Sequence, residues 1–482
     1  MAARWRRRTR NPAAIRGTGA LAALLAAASL QAAHSSELCV ACIALRLERP
    51  VVARGPSAHE PDAPVSMIEL PDGRFRAFAA NATTIAIDAA TPFALSGQSR
   101  VVLDPGPPGS SSECGRWLTT VMQGKDSLYG LIHDESHCRD GATYKSMSIA
   151  RSVNDGLDWT VLGQVISADD IVVPGQAGGE GDCTAADGHD GYWYAYCLRL
   201  SDWKNTVARA PHDDPLPGKW EKWSGAAWNV PGLGGHASAL SRAIGMSSAY
   251  WNEARAVLVL ATSASMQLSL SRDKVHFETM SEPVVLYDAN DWHRPAPNDF
   301  YAYPSMVAER GFNNIGRDFY LTYTYIPPGQ DFTQRYLVVQ AASIALAPVA
   351  QRPQIRTALS QWRSADGARW ATTGPAISPP RSYTYDGPLG YLMTAPPQEM
   401  PSRRLDECFV SRAGAGFLAE AGACVAAGGV RRRAGGYVFA FEQPQTMAVY
   451  DCEPADRARF TSARADCDGT GARARLLGFA LR

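Results

Sequence analysis

The stretch Ser152-Val-Asn-Asp155-Gly156-Leu-Asp-Trp159 carries the fold reading because it recurs. Related segments are Ser271-Arg-Asp273-Lys-Val-His-Phe277 and Ser364-Ala-Asp366-Gly367-Ala-Arg-Trp370. In each, Ser and Asp side chains are suited to hydrogen-bond the backbone of a tight turn, and a Gly supplies positive φ where one is present. The terminal aromatic is expected to plug the gap between neighbouring sheets, which makes Trp159 and Trp370 buried peripheral plugs. An alternating strand precedes the copies, as in Ser146-Met-Ser-Ile-Ala-Arg151 and Gln267-Leu-Ser-Leu270. That pattern fits a hairpin closing a small antiparallel sheet.

Two weaker copies extend the series: Val207-Ala-Arg-Ala210 with Trp220 downstream, and Ile85-Ala-Ile-Asp88. Taking Asp88, Ser152, Ala210, Ser271 and Ser364 as equivalent points gives steps of 64, 58, 61 and 93 residues. Four-stranded units fit the first three steps, and the long last step is assigned to an insertion or elaborated unit over 298–328. Five equivalent points predict an all-β chain whose residues 39–392 form a five-bladed β-propeller. A β-sandwich would be strand-rich too, but without a fixed period near sixty.

The repeats resemble the Asp-box, and the chain is similar to the propeller superfamily of arabinanases, β-xylosidases and related glycoside hydrolases. This resemblance implies a carbohydrate ligand and, for an enzyme, two-carboxylate acid/base catalysis. The arginine triad and Tyr/Glu pair of sialidases are absent, and the three-carboxylate set of arabinanases has no clean match. GxSxG, HExxH, P-loop and GxGxxG signatures are also missing.

Composition agrees with a loop-rich globular protein: 482 residues, 46% hydrophobic, with 42 Gly and 32 Pro. The 47 basic side chains balance 47 acidic ones, but six arginines precede residue 33, so the rest carries a net charge of −6. Such a chain gains little from phosphate neutralisation, and no nucleic-acid partner is expected. The Arg-rich start, the apolar run Gly17 to Leu30 and the small residues after it read as a signal peptide over 1–33. The chain is therefore expected to be secreted or periplasmic, and no stretch is long enough to span a bilayer. Ten cysteines then read as disulfides: Cys39/Cys42, Cys114/Cys138, Cys183/Cys197, Cys408/Cys424 and Cys452/Cys467. Residues 393–482 look like a separate small β-rich module of two units, near 405–440 and 448–482, each with one disulfide. Glycan or cell-wall binding and a stabilising cap are both open roles for it. Arg431-Arg-Arg433 reads as a solvated loop.

Chemistry is expected at loops facing the axial funnel. The catalytic candidates are Glu135, Asp182 and Asp299, with His133, His236, Tyr301 and Tyr303 as substrate-binding candidates. Glu135, at the end of the apolar run Ser127 to Ile132, is read as the general acid, its pKa raised by burial and neighbouring acids. No cofactor or catalytic metal is expected; Asp182, between glycine and Cys183, also suits a structural Ca2+ contact. The first reading is an exported glycoside hydrolase, the alternative a non-catalytic lectin or adhesin. Two of these carboxylates within about 10 Å of each other favour the enzyme. The oligomeric state is left unassigned.

Overall fold

The computed structural model describes residues 39–57, 61–240, 247–262, 264–347, 355–379, 381–455 and 457–482. The expected signal peptide lies outside the described residues. Val40–Arg482 forms one compact unit. Its regular structure is β-strand, with four short 3-10 turns and no α-helix among the described residues.

Five antiparallel groups carry the bulk of the chain. Group 1 comprises Ser66–Glu69, Phe75–Asn81, Thr83–Ala89 and Ser99–Leu103. Group 2 comprises Gly115–Gln123, Leu128–Ser136, Tyr144–Ser152 and Thr160–Ser167. Group 3 comprises Gly178–Asp187, Tyr192–Arg199, Lys204–Pro211 and Glu221–Trp223, extended by Trp228–Pro231. Group 4 comprises Ser247–Trp251, Ala256–Thr262, Met266–Ser271 and Glu278–Thr279. Group 5 is built from both ends of this region: Phe300–Ala308, Asp318–Ile326 and Arg335–Leu346 are completed by Ile43–Ser57, which pairs antiparallel with Arg335–Leu346.

The first strands of the five groups meet at a narrow cavity of about 20 Å3, roughly the space of one water. Each group presents a small hydroxyl there: Ser66, Thr120, Thr184, Ser248 and Ser305, at intervals of 54, 64, 64 and 57 residues. Several bond across groups. The Val121 amide donates to Ser66 Oγ (2.9 Å), the Ala185 amide to Thr120 Oγ1 (3.0 Å), and the Thr184 and Ser248 hydroxyls pair at 2.9 Å. Asn313 Nδ2 donates to the Ala185 and Ser248 carbonyls at 2.5 and 2.9 Å. Larger side chains would force the strands apart, because backbone groups this close to the axis bond directly to those hydroxyls.

The recurring turns behave as their composition demands, with one exchange of roles. In group 2, Asn154 and not Asp155 accepts from the Asp158 amide (3.0 Å), and Ser152 Oγ accepts from the Gly156 amide (3.0 Å). In group 4, Asp273 Oδ1 accepts from Ser271 Oγ and from the Val275 and His276 amides. Trp159 packs edge-on against Phe78 of group 1 at 5.9 Å, yet is only half-buried. Group 5 has no such turn, because its fourth strand arrives from the N-terminal side. The long last step of the repeat is explained in this way. The stretch 298–328, read as an insertion or an elaborated unit, holds the first two strands of group 5.

The third copy, Ser364 to Trp370, belongs elsewhere. Residues 355–482 form three similar runs of strand, hairpin partner and returning strand. The first is Ile355–Ser364, Arg369–Thr372 and Tyr383–Met393. The second is Ser402–Val410, Ala415–Glu420 and Val430–Phe439. The third is Thr446–Glu453, Phe460–Ser462 and Arg473–Leu481. The three returning strands touch pairwise, at Met393↔Tyr437, Tyr391↔Leu481 and Phe439↔Phe479. One apolar cluster, including Leu359, Leu392, Leu405, Val438, Val449 and Leu477, spans all three runs. The expected break between 392 and 393 falls at the last residue of the first run's returning strand, Tyr383–Met393.

Disulfides Cys408–Cys424 and Cys452–Cys467 lie within the second and third runs, while Cys114–Cys138 and Cys183–Cys197 staple groups 2 and 3. Cys39 and Cys42 are both disulfide-bonded, and no described cysteine is free. Cys42 ends the 3-10 turn Val40–Cys42, directly ahead of Ile43–Ser57. The first run of 355–482 has no disulfide and instead buries Trp370 against Tyr383 and Phe409, at ring distances of 5.0 and 4.9 Å.

Trp370 therefore plugs the three-run region. Its indole lies so close to Gly416 that a Cβ there would meet Trp370 Cδ1 at 2.1 Å, so the two residues fit only as a pair. Trp370→Ala is expected to cost about 3–5 kcal/mol in urea unfolding, the range for emptying a fully buried aromatic site. A loss well under 1 kcal/mol would show that this plug is dispensable.

Candidate active site

At the end of group 2's second strand, the alternation of Leu128–Ser136 sends His133 and Glu135 to one face and Asp134 to the other. Directly across the strand pair from Glu135 stands Lys145. Group 3 closes on this pair through Gly178-Gly-Glu-Gly-Asp182, and the glycines allow the approach. Gly178 and Gly179 pair with Tyr144 and Lys145. A Cβ at Gly181 would meet His133 Nδ1 and Lys145 Cβ, each at 2.8 Å.

The resulting cluster is tightly connected. Lys145 Nζ lies 2.6 Å from Asp182 Oδ2 and 3.6 Å from Glu135 Oε1. The Asp182 amide donates to His133 Nδ1 at 2.9 Å, which leaves the proton of the neutral ring on Nε2, 3.1 Å from Glu135 Oε1. Trp117 packs its ring 5.3 Å from the imidazole. On the opposite side, Tyr303 of group 5 hydrogen-bonds Asp62, whose Oδ1 is 3.1 Å from Arg335 Nη2. Asp62 lies just before group 1's first strand, its amide donating to the Ala80 carbonyl at 2.7 Å. Asp62, Glu135, Lys145, Asp182 and Tyr303 are all partly exposed, whereas His133 is buried behind them.

Two of these residues share a backbone feature. Asp182 and Tyr303 each have φ of 51°, in the left-handed region that side chains other than Gly rarely occupy. Each sits where the first strand of its group slips register against the second, between Gly181 and Thr184 and between Ala302 and Ser305. Bulges re-aim side chains, and strain of this kind concentrates at functional sites. Both aim toward the same cluster.

The electrostatics correct the expectation for Glu135. Burial pushes its carboxyl up, but the hydrogen bond from His133 and the charge of Lys145 outweigh burial and hold it below the ordinary range. Asp182 is likewise lowered, burial being overcome by Lys145, and Lys145 is raised in turn by Asp182 and Glu135. Burial, then Asp62 and Asp182, push the Tyr303 phenol far up. With His133 neutral, three carboxylates face two cations, Lys145 and Arg335, and the cluster carries one net negative charge.

The other expected residues lie apart from it. Asp299 is fully buried between Arg432 Nη2 (3.2 Å) and Arg433 Nη1 (2.9 Å), and accepts from the Tyr325 hydroxyl at 2.6 Å. Arg433 also bonds the Tyr301 hydroxyl, and pairs with Glu407 at 2.9 Å. Asp299 and Tyr301 thus join group 5 to the three-run region, since a buried carboxylate needs such partners to stay ionised. Arg431 is exposed and pairs with Asp288 at 2.6 Å, but all three consecutive arginines lie on the strand Val430–Phe439 and the other two are buried, so they form no solvated loop. His236 is exposed, 3.1 Å from Asp169. Asp62, Lys145 and Arg335 escaped the sequence reading. Lys145 alone had a signal, the hairpin register that sets it opposite Glu135. Among the described residues no group of three or more His, Cys, Asp and Glu side chains is arranged to hold a metal ion.

No protein-family model matches the chain, and no curated protein matches it either. Solved structures do. An α-L-arabinofuranosidase from Lactobacillus brevis is 15% identical, with 59% of this chain and 90% of that one covered at a TM-score of 0.39. A family 117 glycoside hydrolase of Zobellia galactanivorans is 14% identical, with 64% and 92% covered at 0.41. The catalytic domain of a Coprinopsis cinerea GH62 α-L-arabinofuranosidase is 13% identical, with 63% and 98% covered at 0.41. Likeness this loose bears on no residue of the site.

Asp134, on the far face of the same strand, supplies a pH test. Burial raises its pKa to about 6 despite a hydrogen bond from Ser148, and its Oδ1 has no hydrogen-bond partner. A raised folded pKa gives stability that is complete below the unfolded value near 4 and lost as pH rises to about 6. Wild type should therefore lose roughly 3 kcal/mol relative to Asp134→Asn across that window, and nothing more above it. Parallel stability curves for the two proteins between pH 4 and 7 would contradict the burial of an ionisable Asp134.

Proposed function

We propose that the five groups are the blades of a five-bladed β-propeller closed by Ile43–Ser57, and that this propeller is a glycoside hydrolase acting on an oligo- or polysaccharide. In this reading the propeller ends at Leu346, and 355–482 is a three-unit module joined to it through Asp299, Arg432 and Arg433. The observation that carries the reading is the convergence of Asp62, Glu135 and Asp182, from blades 1, 2 and 3, on one partly exposed cluster with two strained bulge residues. An ammonium 2.6 Å from Asp182 and 3.6 Å from Glu135 keeps their nearest oxygens no more than about 6 Å apart. The disulfides within groups 2 and 3 and within the second and third runs suit an oxidising compartment and hence export. The solved glycoside hydrolases named above fit the same picture without adding to it.

The roles follow from the surroundings. Asp62, paired with Arg335 and hydrogen-bonded to Tyr303, takes the proton of the attacking water. Glu135 gives a proton to the leaving oxygen; its low pKa in the free site means that proton must be gained as bound sugar excludes water. The Nε2 proton of His133 then holds one Glu135 oxygen and leaves the other for the sugar. Asp182, fixed as an anion by Lys145, stabilises positive charge developing at the ring. No cofactor is invoked.

Glu135→Gln is expected to fold normally and to cut turnover of aryl glycosides by about 10² or more. An unchanged rate on a substrate that wild type hydrolyses would end the assignment of Glu135. Binding of glycans by wild type with no hydrolysis of any would favour the lectin reading.

A further inference from the structure

Trp292 is half-exposed, with 50% of its surface open to solvent, an unusual state for the largest apolar side chain. Its loop is fixed from several directions. The Arg294 guanidinium donates to the carbonyls of Gln330 (3.0 Å), Asn298 (2.9 Å) and Pro327 (2.7 Å), spending its donors on holding backbone. Asn290 clasps Tyr301 by both main-chain groups, its Nδ2 donating to the carbonyl at 2.6 Å and its Oδ1 accepting from the amide at 3.0 Å. The Asn298 side-chain amide donates to the Ala289 carbonyl at 2.5 Å.

The indole itself is backed by aromatic rings. Phe300 meets it edge-on at 4.7 Å, Phe332 lies at 6.3 Å with planes 30° apart, and Tyr303 stands at 6.4 Å. Two routes lead from it to the carboxylates. Tyr303 hydrogen-bonds Asp62, and Phe332 lies under the Arg335 guanidinium (5.1 Å) that pairs with Asp62. A rigid, half-open aromatic face one residue removed from an acid cluster is what a stacked sugar ring requires: flat apolar contact beside polar groups.

We infer that Trp292 is the stacking platform for a sugar ring of the bound glycan, adjoining the Asp62 side of the cluster, and that this ring is neutral. The inference rests on the proposed hydrolase site for its neighbour, but is read out by binding. Neutrality follows from charge: three carboxylates against Lys145 and Arg335 leave the cluster net negative, which opposes an acidic sugar. Trp292 is a positioning residue that sets where the chain of sugars lies.

The test measures binding by titration calorimetry, in the full chain carrying Glu135→Gln so that ligand is not consumed. Probes are neutral pentose and hexose oligosaccharides of about four to six units, with an oligogalacturonate as the acidic control. On the neutral probe that binds best, Trp292→Ala should weaken binding roughly tenfold or more, while Trp292→Phe keeps most of it. Its melting temperature should stay close to that of the parent, since half of the side chain is already in water. Equal affinity of Trp292→Ala and parent overturns the platform, as does binding of the acidic probe in preference to all neutral ones or no binding of any neutral probe. Trp292-dependent binding by a wild-type protein that hydrolyses nothing supports the platform and overturns the hydrolase reading instead.

Discussion

The close approach of five first strands at one axis is the constraint on which the rest of the structure depends. Each group places a Ser or Thr there; Ser66 and Thr120 accept from backbone amides of the following group, and Thr184 and Ser248 pair with each other. Groups 1, 2, 3 and 4 are thereby linked in sequence by hydrogen bonds at the axis. Pairing of Ile43–Ser57 with Arg335–Leu346 joins the two ends of this arrangement, so positions almost 300 residues apart in sequence share one ladder. A site assembled from groups 1, 2, 3 and 5 is only as well ordered as that closure.

The cluster follows from the same geometry. Bulges in the inner strands of groups 3 and 5 turn Asp182 and Tyr303 out of the regular alternation, and both take up left-handed backbone to do so. Glycines at 178, 179 and 181 remove the Cβ atoms that would keep group 3 away from Lys145 and His133. Lys145 then holds two acids together that would otherwise repel, and keeps both ionised. A different buried network, centred on Asp299, Arg433 and Glu407, fastens group 5 to the three-run region from behind. Since Phe300–Ala308 carries Asp299 at its threshold and Tyr303 within it, that fastening and the site share a strand.

The repeat was legible because the turns that close groups 2 and 4 use Ser, Asn, Asp and Gly for local hydrogen bonds, and local chemistry leaves a local signature. The pairing of the eight cysteines from Cys114 to Cys467 was legible for the same reason, as was the meeting of His133, Glu135 and Asp182 at strand ends. What was hidden is long-range. Ser364–Trp370 has the right composition for a group-closing turn, yet Trp370 packs against Phe409, a contact that no spacing reveals. Asp299 and Tyr301 looked like loop residues facing a pocket, but the arginines that bury them lie more than 130 positions away. Asp62 has no pattern of its own and acquires its place from Arg335 and Tyr303.

The most direct test of the account is release of reducing sugar from a panel of soluble polysaccharides by the purified chain and by Asp62→Asn, with thermal melting to verify the fold. The account predicts release by the parent from at least one neutral glycan and a loss of about 10² or more in the variant. Equal release by both proteins, or glycan binding by the parent with release from none, would contradict it.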